Sequence, residues 1–147
     1  MTDAPIIRPL RDADIESTIA LWNACGLTEP WNDPRADIAR ARASSEATLL
    51  VAADVHHRIV GTVMAGNDGH RGWLYYVAVA PELQHTGLGR RLVAAAEEWL
   101  KARGVVKLML MIRPSNTAVR GFYEALGYEE QDRILMSRWL DGRPMTP

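Results

Sequence analysis

One segment, residues 75–92, limits what this chain can fold into more than any other: Tyr-Tyr-Val-Ala-Val-Ala-Pro-Glu-Leu-Gln-His-Thr-Gly-Leu-Gly-Arg-Arg-Leu. Its first half is a β-prone run that Pro81 ends, because proline brings no ladder donor. A short loop with Gln84, Gly87 and Gly89 follows, and a helix starts at once. Leu88, Leu92, Ala96, Trp99 and Leu100 then recur as one apolar stripe. A strand feeding a helix through glycines leaves backbone N–H groups unpaired at the positive end of the helix dipole. Without Cβ atoms at Gly87 and Gly89 an anion can approach closely, so the pattern points to phosphate binding by residues 85–90.

Two well-known phosphate motifs do not fit. A dinucleotide-binding unit needs Gly-x-Gly-x-x-Gly in the first strand–helix turn. Here the sixth position is Leu92, and the strand is the fourth of the chain. A P-loop needs Lys-Ser/Thr after its last glycine, and none follows.

At 147 residues the chain suits one domain with a core of its own. A net charge of −1 argues against a nucleic-acid binder. Cys25 is the only cysteine and the four histidines are scattered, so neither an internal disulfide nor a structural zinc site is expected. The first residues are not basic, and no apolar run approaches a membrane span. The expectation is a cytoplasmic protein with no membrane association.

Periodicity and turn signals predict an element order β-α-α-β-β-β-α-β-α-β-β, a mixed α/β sheet with helices on both faces. The strands are expected at Ile6–Arg8, Thr48–Ala53, Arg58–Gly66, Trp73–Val79, Lys107–Ile112, Tyr128–Gln131 and Ile134–Trp139. Lys107–Ile112, nearly all apolar, reads as a central strand covered on both faces. Helices are expected over 13–25 with Asp12 as N-cap, over 34–43 with Asp33 as N-cap before Pro34, after Gly87, and over 117–126. The domain is read as 1–140, followed by a loose Gly- and Pro-containing tail at 141–147.

A second pattern joins the first. Asn116-x-Ala118-x-x-x-Phe122-Tyr123-x-x-Leu126-Gly127-Tyr128 sits on the predicted fourth helix. Together with Gln84-x-x-Gly87-x-Gly89, in this order, it resembles the paired signatures of the GCN5-related N-acetyltransferase (GNAT) family. The resemblance covers essentially the whole chain. It implies acetyl-CoA as co-substrate, no metal, and direct transfer of the acetyl group to a primary amine, on a small molecule or a peptide, in a ternary complex. It places the pyrophosphate on Gln84, His85, Thr86, Gly87, Leu88, Gly89 and Arg90. It also implies that strand 73–79 splays from the next one, so that Val77, Ala78 and Val79 pair with the pantetheine arm as an added strand. Asn116 would contact the cofactor arm as well as cap its helix. Tyr123 would be the general acid that protonates the leaving thiolate. Periodicity alone reads Tyr123 differently, as a core residue on a stripe with Val119, Phe122 and Leu126.

The sequence departs from one pattern. Some family members, the N-terminal acetyltransferases of ribosomal proteins among them, carry a glutamate five residues before the helix asparagine. Met111 stands there and takes no proton. Glu29, Asp33, Asp68 and His70, in loops expected to rim the acceptor, are the candidate bases, with Trp31 and Trp73 as candidate walls. A water chain with no dedicated base is the alternative. A non-catalytic acyl-CoA-binding module and, more remotely, a nucleotide-binding domain are the competing readings. The oligomeric state stays open between monomer and homodimer.

Overall fold

The computed structural model describes residues 3–145. Contacts divide the chain into one compact unit up to Met111 and a second from Ile112 onward. The first unit holds strands β1 (Ile6–Pro9), β2 (Ala47–Ala53), β3 (Ile59–Asn67), β4 (Gly72–Val79) and β5 (Leu108–Met109). It also holds helices α1 (Ile15–Ala24), α2 (Pro34–Ala43) and α3 (Leu88–Lys101). The strands form one sheet in the order β1-β2-β3-β4-β5, antiparallel up to β4 and parallel between β4 and β5. The expected mixed α/β sheet is present.

The run Leu49–Ala53 is buried without interruption, as are Ile59, Val60, Thr62 and Val63. Consecutive buried residues mean that both sheet faces are covered. The covering helix α3 buries Leu88, Leu92, Val93, Ala96 and Leu100. It lies so close to β3 that a Cβ on Gly61 would stand 2.8 Å from Leu92 Cδ1 and 3.3 Å from Leu88 Cδ2. Gly61 is paired with Val79, so this contact sets the first turn of α3 beside the end of β4.

The caps follow the sequence at α2 and depart from it at α1. Asp33 accepts a hydrogen bond from Arg35 N at 2.9 Å, with Pro34 as the first helical residue. At α1 the expected cap Asp12 is exposed and pairs with Arg42 instead. A 3-10 turn over Asp12–Asp14 precedes the helix, and Asp14 holds it. Asp14 accepts from Arg11 N at 2.8 Å and from both Arg8 guanidinium nitrogens, at 2.6 and 3.1 Å. Asp14 is buried and can ionise there only because Arg8 and Arg11 N face it.

Two expectations are corrected. β5 is two residues long and forms the edge of the sheet, with Val106 and Met111 exposed on either side of it. It is not a central strand covered on both faces. The strands expected at Tyr128–Gln131 and Ile134–Trp139 are absent, so the described element order ends at α4. A strand exists only where a neighbour completes its ladder. In the second unit the backbone bonds of this stretch are local, from Tyr128 N to Tyr123 O and from Arg133 N to Gln131 O. Ile134, Leu135 and Met136 stand exposed. Their apolar character names a face that would be buried but supplies no partner edge.

The second unit is otherwise built on α4 (Thr117–Ala125), ended by Gly127 at φ +93°. The expected tail is irregular where described, with Arg143 stacked 4.0 Å over the Trp139 ring; residues 146 and 147 lie outside the described ones.

The Arg8 hydrogen bonds hold the Asp14 carboxyl below the usual carboxylate range. A depressed folded pKa contributes stability that is present above the unfolded value and lost as pH falls through the folded value. Asp14→Asn is therefore expected to lower stability by about 3 kcal/mol at neutral pH, since it strands Arg8. The gap to wild type should narrow below about pH 4, as read by urea denaturation at both pH values.

Candidate active site

The site begins with a broken ladder. β4 is in register with β5 only at Gly72–Leu108 and Trp73–Met109, with Gly72 N donating to Lys107 O at 2.9 Å. From Leu74 to Val79 no strand runs along that side among the described residues, which leaves a bare edge of backbone donors and acceptors. This is the splay expected of strand 73–79.

On its other side β4 carries a bulge. Thr62 pairs with Ala78 and Met64 with Tyr75, so Tyr76 and Val77 together face the single residue Val63. Tyr76 sits at φ +50°. A left-handed backbone at an aromatic residue costs on the order of 1–3 kcal/mol and persists only where its surroundings impose it. The Tyr76 ring lies on Trp22, centroids 3.8 Å apart and planes 15° from parallel. Its hydroxyl donates to Asp37 Oδ2 at 2.6 Å. Burial first, and then Asp37, push the Tyr76 phenol well above its ordinary range, so it remains protonated. No local signal marked Tyr76, because the residue expected at positive φ is glycine and the run reads as plain strand.

Val77 and Val79 are half-buried and Ala78 is buried. The carbonyl of Val79 receives the Cys25 thiol and lies near Gln84 Nε2, both at 3.4 Å. Burial raises the Cys25 pKa, which fits a packed thiol and not a nucleophile. Beyond Pro81–Leu83 the loop turns through His85 at φ +65° and Gly87 at φ +89°. Thr86 Oγ1 donates to Leu83 O at 2.5 Å and shapes that turn. Leu88 anchors the loop in the core, while Gln84, His85, Thr86, Gly87 and Arg90 are exposed. Gly87 has no side chain to cap the helix, and the first α3 amide with a backbone acceptor is Arg91 N, bonded to Gly87 O. Amides of residues 85–90 therefore have no backbone partner among the described residues. The structure brings Val77, Ala78, Val79 and residues 84–90 together at one end of the sheet.

Asn116 and Tyr123 belong to the second unit. Asn116 caps α4, its side-chain oxygen accepting from Val119 N at 3.3 Å, which leaves its NH2 group unused by the cap. Tyr123 is buried, edge-on to Phe122 at 4.9 Å and to Tyr128 at 5.5 Å. Its hydroxyl has no hydrogen-bond partner among the described residues. Burial pushes its pKa up to about 12.

Of the candidate bases, Asp33 is occupied as the cap of α2. Asp68 accepts from Arg71 N at 2.7 Å, His70 N at 2.8 Å and Trp73 Nε1 at 3.1 Å. Those bonds, Arg71 N foremost, hold it below the usual carboxylate range, which makes it a turn-former and a weak base. They also tie Trp73 to the turn.

Comparison with known proteins decides what this geometry belongs to. The profile of the Acetyltransferase (GNAT) family matches residues 14–128, well over half of the chain. The chain belongs to the GNAT family. It is an acyltransferase of the acetyl-CoA-dependent kind. An acetyltransferase of Yersinia enterocolitica is 44% identical over 134 residues, covering 91% of this chain and 94% of that protein. One of Pectobacterium atrosepticum matches at the same identity and coverage. Among solved structures, an aminoglycoside N-acetyltransferase in complex with CoA has a TM-score of 0.80 at 19% identity, over 95% of this chain and 97% of that one. Glucosamine-6-phosphate N-acetyltransferase of Arabidopsis thaliana has a TM-score of 0.74 at 20% identity, over 95% and 100%. At such identities the two structures show a shared fold. Membership also sets aside the nucleotide-binding reading. No helix among the described residues of this GNAT chain is long and apolar enough to cross a membrane.

A Cβ on Gly87 would meet nothing within 4 Å, so the cost of adding one is torsional. Gly87→Ala is expected to destabilise by about 1 kcal/mol and Gly87→Asn by less, since asparagine tolerates positive φ. Chemical denaturation checks this, and a larger loss in Gly87→Asn than in Gly87→Ala would mean that the loop responds to volume.

Proposed function

We propose that this protein moves the acetyl group of acetyl-CoA to a primary amine by direct attack in a ternary complex. The observation that carries the reading is the bare edge of β4 ending beside the unpaired amides of residues 85–90. A pantetheine arm is an extended chain with amide donors and acceptors, which suits such an edge. A pyrophosphate suits the uncapped start of α3, and Gln84 and Arg90 flank it. Asn116 has an amide NH2 left over from its cap to offer the arm.

The acceptor nitrogen attacks the thioester carbonyl, the C–S bond breaks, and the sulfur leaves as thiolate. A backbone N–H of the Val77–Val79 edge polarises the carbonyl. Tyr123 gives its proton to the sulfur and regains one from solvent. A phenol is protonated at neutral pH and so has a proton to give. The attacking nitrogen loses its proton to water, which agrees with Met111 at the family's glutamate position and with Asp68 being tied up in its turn. Residues 27–34 and 67–72 form the acceptor wall, and their acidic members favour a cationic amine. The acceptors named in related structures are aminoglycosides and a phosphorylated amino sugar; a small amine is the class we assign, with a peptide amine as the second choice. The domain spans 1–140, works without a metal, and acts in the cytoplasm.

Two measurements test this. Acetyl-CoA should raise Tm saturably and release thiol with at least one member of a panel of polyamines, aminoglycosides, amino sugars and peptides. Stabilisation without release from any amine would favour the sensing module, and no stabilisation at millimolar cofactor would overturn the reading. Tyr123→Phe should lower kcat about 100-fold with CoA affinity unchanged. An acid must be protonated to act, so wild-type kcat should show no alkaline fall from this group below about pH 11.

A further inference from the structure

The donor edge of β4 starts immediately after Tyr76, and Tyr76 is held by side chains from three other elements. The bulge takes the Tyr76 carbonyl out of the β3–β4 ladder, and Thr62 Oγ1 captures it, donating at 2.7 Å. The same oxygen accepts from Trp22 Nε1 at 2.9 Å. Thr62 and Trp22 are wholly buried, so no water competes for either bond. Trp22, from α1, then stacks on the Tyr76 ring, and Asp37, from α2, takes its hydroxyl. The backbone, the ring face and the ring tip of one residue are each fixed by a different element.

A regular strand would need none of this. Packing alone would be served by any apolar side chain at 62, because the β3–β4 ladder resumes on both sides of the bulge. The network fixes the strained φ of Tyr76 and, through it, the direction of Val77–Val79. We infer that Thr62 is a positioning residue for the acyl donor: its hydroxyl, held by Trp22, locks the β4 bulge so that the Val77–Val79 edge meets the pantetheine arm. Tyr76 and Asp37 act with it as the outer half of the clamp. This rests on the assignment of the Val77–Val79 edge to acetyl-CoA made above.

Thr18 is the control that the molecule itself provides. It is equally buried on α1, and its hydroxyl has no partner among the described residues. Thr62→Val and Thr18→Val thus remove the same group, with and without a clamp. CoA affinity by calorimetry is expected to fall roughly tenfold in Thr62→Val, while Thr62→Ser and Thr18→Val stay within about twofold of wild type. Tyr76→Phe, which keeps the ring and its stack, should lose about threefold and carries the test if Thr62→Val does not fold. In the free protein, amide exchange at 77–79 should quicken in Thr62→Val while β2 is unchanged. Wild-type affinity in both Thr62→Val and Tyr76→Phe, or faster exchange spread evenly over the sheet, would overturn the inference. Failure of the wild type to bind CoA would sink the donor reading itself. Exchange would then show whether the clamp holds the strand at all, with unchanged rates at 77–79 refuting it.

Discussion

The bulge at Tyr76 determines where β4 points, and the direction of β4 decides whether its edge is bare or paired. A left-handed tyrosine is unfavourable by about 1–3 kcal/mol. Its partners offset that. Two buried hydrogen bonds at Thr62 contribute about 1 kcal/mol each. The bond to the Asp37 carboxylate is of the stronger, charge-assisted kind. The stack on Trp22 adds about 0.5–1.5 kcal/mol. The strain is thus outweighed locally, by residues drawn from α1, α2 and β3. The first half of the chain reads, in this light, as a frame around one irregular point in the sheet.

The start of α3 shows the same preference for availability over local stability. A serine or aspartate at the cap would satisfy one of the free amides and stabilise the helix by about 1 kcal/mol. The chain has Gly87 there instead, and the amides stay open. What anchors the helix lies further along it, in the Leu88 and Leu92 side chains pressed against Gly61. That contact substitutes for a cap, because it fixes the axis of α3 without occupying its end.

The parts legible in the sequence are those whose signals are local. Helix α2 could be read from Asp33-Pro34, the α3 stripe from its period, and the loop at 84–90 from its glycines. The second signature located α4 and its Asn116 cap. What escaped needed knowledge of neighbours. Asp12 reads as the cap of α1, yet Arg42 takes its carboxylate, and the approach of Arg8 and Arg11 N makes Asp14 the residue that holds the turn before the helix. Lys107–Ile112 is apolar enough for a central strand, yet only Leu108–Met109 pairs, and among the described residues no strand pairs with it on the far side. The stretch 128–139 carries strand-like residues and no ladder. Tyr76 escaped for the opposite reason: its neighbours allow a conformation that its own chemistry disfavours.

Cys25 turns this architecture into its own indicator. It is the single thiol of the chain, half-buried at the end of α1, its Sγ 3.4 Å from the carbonyl of Val79. Burial keeps it in the unreactive thiol form. A thiol-specific dye is therefore expected to react with free CoA before Cys25, so product and enzyme can be told apart in one cuvette. The slower labelling of Cys25 becomes a clock for the terminal residue of β4. It runs faster when that strand end loosens and slower when a bound molecule holds it still, with no label or tag to be engineered.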